Sequence, residues 1–209
     1  MKKIIDKLNN VGQNYVDKTF NLLPKEALTY VINGKNISHA INQKKNNSLP
    51  VNVLNWFNDF WLYVEIRFVL NKSISKRKKI LPNIFFTLSV FQGKVDKNKT
   101  QLFRADWDNY YDNSDNHPQP HWHIYAQREI EEQEKSFDEI VSTTDKSFIK
   151  YIEKDTKVVN IDRFHFAMNA QWSESKTDVH KIKIGSDLTD WFEGVLNHIK
   201  KELEYIKVK

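Results

Sequence analysis

Histidines at positions 117, 121 and 123 are the most informative grouping of side chains in the chain, within the segment HPQPHWH. His121 and His123 are two positions apart, so in an extended strand both imidazoles point to the same side of the sheet. The prolines before them disfavour a helix. Imidazole exchanges protons near neutral pH and binds borderline metals. The segment therefore predicts a functional site without naming its reaction.

Charged residues recur at matching positions in other predicted strands, at 62–70, 84–91, 101–107, 121–126 and 161–172. If these strands align their apolar faces, their opposite faces align as well. The planar fork of arginine binds phosphate through two hydrogen bonds. In a chain whose basic residues are mostly lysines, arginines at these positions are unlikely to reflect codon usage alone. The residues collected on this opposite face are Glu65, Arg67, Arg104, Asp106, His121, His123, Arg163 and His165.

This set of side chains predicts an acid/base site for phosphodiester cleavage on an open sheet face. The candidate catalytic residues are His121, His123, His165 and Asp106. The candidate substrate-binding residues are Arg67, Arg104, Arg163, Glu65, His117, Lys76, Arg77, Lys78 and Lys79. The last four lie in a basic stretch at 72–79, which predicts either a finger that contacts backbone phosphates or an ordinary solvated loop.

A metal site is the alternative use of the same side chains. His121, His123 and His165 together with Asp106 would satisfy the first shell of a divalent metal ion. Three arginines nearby would repel such an ion unless a phosphate lay between them. The sequence therefore favours a metal-independent anion site with no cofactor, and leaves a divalent metal as the alternative. The absence of cysteine excludes thiol catalysis and Cys-ligated zinc.

The charge of the chain is unevenly distributed. Residues 1–80 hold 14 Lys and Arg against 5 Asp and Glu, a net charge of +9, whereas the whole chain has a net charge of +5. Such an asymmetry predicts an acidic partner, either RNA or DNA or an acidic protein surface. Because 27 of the 32 basic residues are lysines, codon bias towards lysine is a competing explanation.

The chain carries no sign of export or membrane insertion. Its first residues lack an apolar run of signal-peptide length. The most apolar stretch, 51–70, carries Asp59, Glu65 and Arg67 and does not predict a membrane span. The lack of cysteine is compatible with a reducing compartment. The sequence therefore predicts a cytoplasmic protein without a membrane partner.

The N-terminal quarter is predicted to be a small helical element. Apolar residues at helical spacing predict a helix over residues 3–20. Pro24 is typical of a first helical turn and predicts a second short helix through Leu28. The polar stretch at 43–50 predicts a loop. We therefore divide the chain into a helical N-terminal element, 1–50, and an α+β sheet domain, 51–209.

The remainder is predicted to be an α+β domain with an antiparallel sheet of about five strands. A charged helix is expected between the fourth and fifth strands, at 128–157. The C-terminal helix, Asp187–Ile206, has one broad apolar stripe and is expected to cover one face of the sheet. Trp191 and Leu196 should then be almost fully buried.

Three functions follow from these features. The first is a bacterial-type nuclease or phosphodiesterase that acts on nucleic acid with the His/Arg/Asp cluster. The second is a non-catalytic accessory subunit that binds nucleic acid or an acidic protein partner. The third is a metal-binding hydrolase that uses the three histidines. An open grouping of the imidazoles would favour an enzyme, and a packed one would favour the subunit.

Overall fold

The computed structural model describes residues 1–44, 47–70, 82–96, 98–108, 120–125 and 185–208. These residues form an α+β fold with one antiparallel sheet of eight strands and with an N-terminal and a C-terminal helix. The elements follow in the order α1 (Lys2–Tyr15), β1 (Asn21–Glu26), β2 (Thr29–Asn33), β3 (Ile37–Lys44), β4 (Asn47–Phe57), β5 (Phe60–Val69), β6 (Asn83–Gln92), β7 (Thr100–Asp108), β8 (His121–Ile124) and α2 (Gly185–Val208). The predicted architecture is confirmed, with more strands than the predicted five or so.

Strand β5 is the centre of the sheet. It pairs along its whole length with β6, which pairs with β7, and β7 pairs in turn with β8. The other edge of β5 is divided, because its first residues pair with β4 and its last residues pair with β2. β1 extends the sheet beyond β2, and β3 pairs with β4. Among the described strands, the ladder pairing of the β3–β4 hairpin with the rest of the sheet therefore runs through the end of β4.

The apolar face of the sheet is covered by α2, as the periodicity of both elements predicts. Alternate residues of β5 and β6 are buried on this face because a strand turns every second side chain to the same side. Phe86 of β6 packs against Trp191 and Phe192, with ring centroids 5.7 and 5.3 Å apart. Leu196 is fully buried as predicted, whereas Trp191 is only partly buried, so that part of the prediction is wrong.

Helix α1 packs beside α2 at the same layer of the core. Ile5 and Leu8 form its buried face, and the ring of Phe20 occupies the space beside Gly12. A side chain at Gly12 would place its Cβ 2.1 Å from Phe20 Cδ1, which explains why a glycine stands within this helix. The Tyr15 hydroxyl donates a hydrogen bond of 2.5 Å to the carboxylate of Glu193 in α2.

The predicted second helix at Pro24 is wrong, because residues 21–26 form strand β1 and pair with β2. Among the described strands β1 pairs with β2 alone, and a proline is tolerated in an edge strand because no ladder hydrogen bond requires its missing N–H. Leu28 adopts a positive φ of 64° in the tight connection to β2. The hairpin geometry thus overrides the preference of Pro24 for a first helical turn.

The predicted loop at 43–50 is wrong as well, apart from residues 45 and 46, which lie outside the described residues. Gln43 pairs with Ser48 and Lys44 pairs with Asn47, which extends the β3–β4 hairpin to its tip. Strand pairing uses backbone groups, so polar side chains do not prevent it. The division proposed after residue 50 falls within β4.

Two predicted elements fall in parts of the chain that the structure does not describe. The charged helix at 128–157 and the strand at 161–172 lie outside the described residues. Within the described part of the chain, no helix combines the length and apolarity that a membrane crossing requires.

Candidate functional site

The register of the sheet brings the described members of the predicted site to one face. In an antiparallel pair, directly opposed residues project to the same side. Arg104 lies opposite His123, and Asp106 lies opposite His121. These rows of opposed residues continue across the sheet, because Asp106 lies opposite Thr87 of β6, which lies opposite Glu65 of β5. The shared face predicted from sequence is therefore confirmed for the six members that are described, Glu65, Arg67, Arg104, Asp106, His121 and His123.

Two imidazoles converge on one carboxylate oxygen at the β7–β8 edge. The Nε2 atom of His123 is 3.4 Å from Asp106 Oδ2, and Nε2 of His121 is 3.9 Å from the same oxygen. Both distances exceed the 2.7–3.2 Å of an ordinary N–H···O hydrogen bond. The side chains are 16% exposed for His121 and Asp106 and 30% exposed for His123, so solvent reaches all three. We call these three residues the His/Asp cluster.

Tyr125 forms one wall of the His/Asp cluster. Its ring stacks on that of His123, with centroids 6.3 Å apart and planes 26° from parallel. Burial raises the pKa of the Tyr125 hydroxyl, and the nearby Asp106 carboxylate adds to this while Arg104 opposes it. The two imidazoles contact each other edge to face, at a centroid separation of 4.8 Å. The ring of His123 is thus in contact with two other rings of the site, those of His121 and Tyr125.

Asp106 is held by two further side chains. Arg104 donates from Nε to Asp106 Oδ2 over 2.8 Å, and the Thr87 hydroxyl donates to Oδ1 over 2.8 Å. The carboxylate is thus oriented from both sides, with one oxygen directed to the imidazoles. A carboxylate has about four lone-pair sites, so the Oδ2 atom retains acceptor capacity beyond the bond from Arg104.

Arg104 is buried rather than presented on an open sheet face. Its side chain is 1% exposed, and its fork is engaged by Asp106 and by the carbonyl of Gln43, which accepts from Nη1 over 2.5 Å. A guanidinium that is buried to this degree and paired with an internal carboxylate is poorly placed to contact a substrate phosphate. This position differs from the open face on which the phosphate-binding role of Arg104 was predicted.

Strand β3 covers this part of the polar face and continues the hydrogen-bonded chain. Asn42 accepts hydrogen bonds through Oδ1 from Ser89 Oγ at 2.8 Å and from Gln101 Nε2 at 3.0 Å. Gln101 in turn accepts from the Gln43 backbone N–H at 2.6 Å. We call Asn42, Gln43, Ser89, Gln101 and Arg104 the polar network. It links the β3–β4 hairpin to the carboxylate of the His/Asp cluster.

The other two described members of the predicted site lie apart from the cluster. Glu65 is in the same row as His121 but three strands away, about 14 Å by ordinary strand spacing. Its carboxylate accepts a hydrogen bond of 2.5 Å from the Tyr63 hydroxyl, and at this separation it does not contact His121 or His123. Arg67 is exposed, with its guanidinium 4.8 Å from the centre of the Phe85 ring. Of the two described arginines, Arg104 is therefore the one that contacts the His/Asp cluster.

The remaining predicted site residues lie outside the described residues. These are His117, His165, Arg163, Lys76, Arg77, Lys78 and Lys79. Their predicted roles stay predictions.

Sequence reasoning missed several residues that hold the site. Thr87 and Ser89 alternate with the apolar residues of β6, and this spacing was a signal that both face the polar side. Gln43 gave no such signal, because the polar composition around it resembles that of a loop. Its role depends on the position of β3 over β7, which local sequence does not encode.

The arrangement can support two kinds of chemistry. A pair of imidazoles beside an oriented carboxylate can exchange protons with a bound substrate. Alternatively, one ligand atom from each residue of the His/Asp cluster lies within 4.8 Å of the other two, a grouping that could hold a metal ion. Comparison with family models, curated proteins and solved structures finds no match, so the geometry alone supports these assignments.

Proposed function

We propose that the protein is a hydrolase of phosphodiesters in nucleic acid, with the His/Asp cluster as its reaction centre. The observation that carries the proposal is the convergence of His121 and His123 on one oxygen of Asp106 in a place that solvent reaches. Hydrolysis requires activation of the attacking water and stabilisation of the charge on the leaving oxygen. Imidazole side chains supply both effects, by exchanging protons or by holding a metal ion.

The substrate class is inferred from charge. Residues 1–80 carry a net charge of +9, which favours a polyanionic partner. Arg67 is exposed on the same sheet face as the cluster, and Lys44 is exposed next to Gln43, whose carbonyl contacts Arg104. In this proposal Arg67 and Lys44 contact phosphates of the substrate. Arg104 acts as a positioning residue because it orients Asp106 from a buried position.

The experiment is a cleavage assay on labelled single-stranded RNA and double-stranded DNA, in chelator and in added zinc or manganese. We expect the parent chain to cleave at least one of them. His123→Ala should lower the rate by about 10²–10⁴-fold, the usual cost of losing an acid/base group. His39→Ala is the matched control because His39 is exposed on β3 and is not a member of the cluster.

A non-catalytic subunit that binds nucleic acid is the second candidate. It is favoured by the burial of the polar network under β3, which makes Ser89, Gln101 and Arg104 inaccessible to a substrate. The same samples separate the two functions by filter binding. Binding that weakens steeply with salt, without cleavage under any metal condition, would support the subunit and contradict the hydrolase. Cleavage that survives in His123→Ala at the parent rate would show that the reaction centre is elsewhere.

A further inference from the structure

We propose that the His/Asp cluster is a binding site for a divalent transition metal ion of the zinc class. The ligands are Asp106 Oδ2 and one imidazole nitrogen each from His121 and His123. This inference deepens the proposed function and rests on it for the role of the ion. The binding itself is tested without any substrate.

The distances between the ligand atoms suit a shared cation better than direct pairing. Zinc lies about 2.0–2.1 Å from nitrogen and oxygen ligands, so neighbouring ligands of a tetrahedral site are roughly 3.3 Å apart. The Nε2–Oδ2 distance is 3.4 Å for His123, close to this value, and 3.9 Å for His121, somewhat above it. Small rotations of the imidazole rings, which are partly exposed, would complete the fit.

The donor set selects the kind of metal. Calcium and magnesium are held mainly by oxygen ligands, whereas imidazole nitrogen suits zinc, iron, cobalt and nickel. Two nitrogens and one carboxylate oxygen therefore favour the second group. Three protein ligands leave at least one coordination position open to water or substrate, which is the arrangement of catalytic rather than structural zinc sites.

The support around the ligands is of the kind that metal sites require. Metal affinity depends on groups that orient the ligands, and their loss commonly costs about 10–100-fold. Thr87 and Arg104 each donate a hydrogen bond to Asp106, one to each oxygen. The ring of Tyr125 stacks on His123 and restricts its rotation. The carboxylate and one imidazole are thus positioned before any ion binds.

The positive charge of Arg104 is the main argument against a cation at this place. Its guanidinium forms an ion pair with Asp106, and its Nη1 atom donates a charge-assisted hydrogen bond to the Gln43 carbonyl. Arg67 lies opposite Phe85, which lies opposite Asp108. Arg67 is therefore two strands away from Asp106 and displaced by two residues along the strand, a separation of roughly 12 Å by strand geometry. At that distance solvent and salt screen most of its repulsion.

The test is metal binding by the full chain after removal of metal with chelator. Calorimetric titration with zinc chloride should give one ion per chain. Titration with cobalt chloride should produce the visible absorption of a cobalt ion with fewer than six ligands. His121→Ala and His123→Ala should each lower the affinity by at least about 10–100-fold, the range seen for supporting residues alone. His39→Ala should leave it unchanged.

A milder variant addresses the possibility that an alanine disturbs the strand. Thr87→Val has nearly the same shape and removes only the hydrogen bond to Asp106 Oδ1. It should weaken zinc binding by about 10–100-fold while the stoichiometry stays at one. Unfolding curves of each chelated variant identify the ones that remain folded.

The outcomes separate this inference from the proposed function. Stoichiometric zinc binding that depends on His121 and His123 supports the site even if no nucleic acid is cleaved. Cleavage in chelator by a chain that binds no zinc or cobalt would overturn the site and leave the hydrolase standing. Zinc binding of equal strength in the parent chain and in His123→Ala would also overturn it.

Discussion

Both faces of the central sheet are covered over part of their area, and the two covered parts are built from different chemistry. On one face, alternate residues of β5 and β6 are buried in the apolar core, and Phe86 of β6 packs against α2. On the other face, β3 covers the polar network, whose members are held by directional hydrogen bonds. Apolar packing depends mainly on volume, whereas a buried polar group requires a partner at a defined place. The apolar face therefore provides stability, and the polar face provides position for the His/Asp cluster.

Truncation of Phe192 should give the largest loss of stability on the apolar face. Phe192 is fully buried and packs against Phe86 and Phe20. Phe192→Ala should lower the free energy of unfolding by about 3–5 kcal/mol, the usual range for an aromatic core truncation. Urea denaturation measures this change. The folded variant should bind zinc with the same affinity as the parent. A loss of zinc affinity that accompanies the loss of stability would show that the two faces are coupled.

Removal of the Arg104 guanidinium should give a comparable loss on the polar face. Arg104→Met leaves the Asp106 carboxylate without its buried partner and the Gln43 carbonyl without its donor. The expected destabilisation is about 3 kcal/mol, the lower end of the range for breaking a buried ion pair, because Asp106 is partly exposed.

Arg104→Lys is the matched control for that variant. It retains the charge and loses the fork, so its stability should lie between those of the parent and Arg104→Met. A methionine variant as stable as the parent would contradict the view that this face depends on specific partners.

Neighbouring residues of β6 allow a direct comparison of the two faces. Leu88 and Ser89 are both fully buried, and they project to opposite sides of the sheet. Leu88→Met nearly conserves volume and should cost less than about 1.5 kcal/mol. Ser89→Ala removes the donor to Asn42 and should cost about 1–3 kcal/mol although it changes fewer atoms. If thermal or urea unfolding showed that Leu88→Met destabilises the protein more than Ser89→Ala, the proposed difference between the two faces would be contradicted.

The smallest effect expected is a pH dependence of stability at Lys99, which contacts the β3–β4 hairpin. Lys99 is buried and donates hydrogen bonds to Ser38, His39 and Val95. Burial lowers the pKa of its ammonium below the usual 10.5, and the Asp96 carboxylate partly opposes this. Between the lowered pKa and 10.5 the unfolded chain binds more protons, so stability rises with pH in that window.

Replacement of Lys99 by methionine checks this linkage. The difference in unfolding free energy between the parent and Lys99→Met should change in favour of the parent as the pH rises towards 10.5. Leu88→Met on the apolar face should follow the parent in parallel over the same range. A constant difference between the parent and Lys99→Met would show that the burial of this ammonium has no consequence for stability.

Local pattern determined the face on which the described site residues lie. Strand alternation has a period of two, so the parity of Arg104 and Asp106 followed from the apolar residues between them. The same reasoning placed His121 and His123 together. The apolar stripe of α2 likewise indicated a cover for the opposite face. The pattern at Pro24 was misleading, because a proline is compatible with both a helix start and an edge strand.

Only the tertiary structure decided which of these residues meet and what surrounds them. The register between β7 and β8 brings Asp106 next to His121, while the order of the strands separates Glu65 from both. The β3–β4 hairpin buries Arg104 through the Gln43 carbonyl, a contact between residues 61 positions apart. Sequence determines local periodicity because each residue constrains its near neighbours. The site depends on contacts between distant segments, and those follow only when the whole sheet has formed.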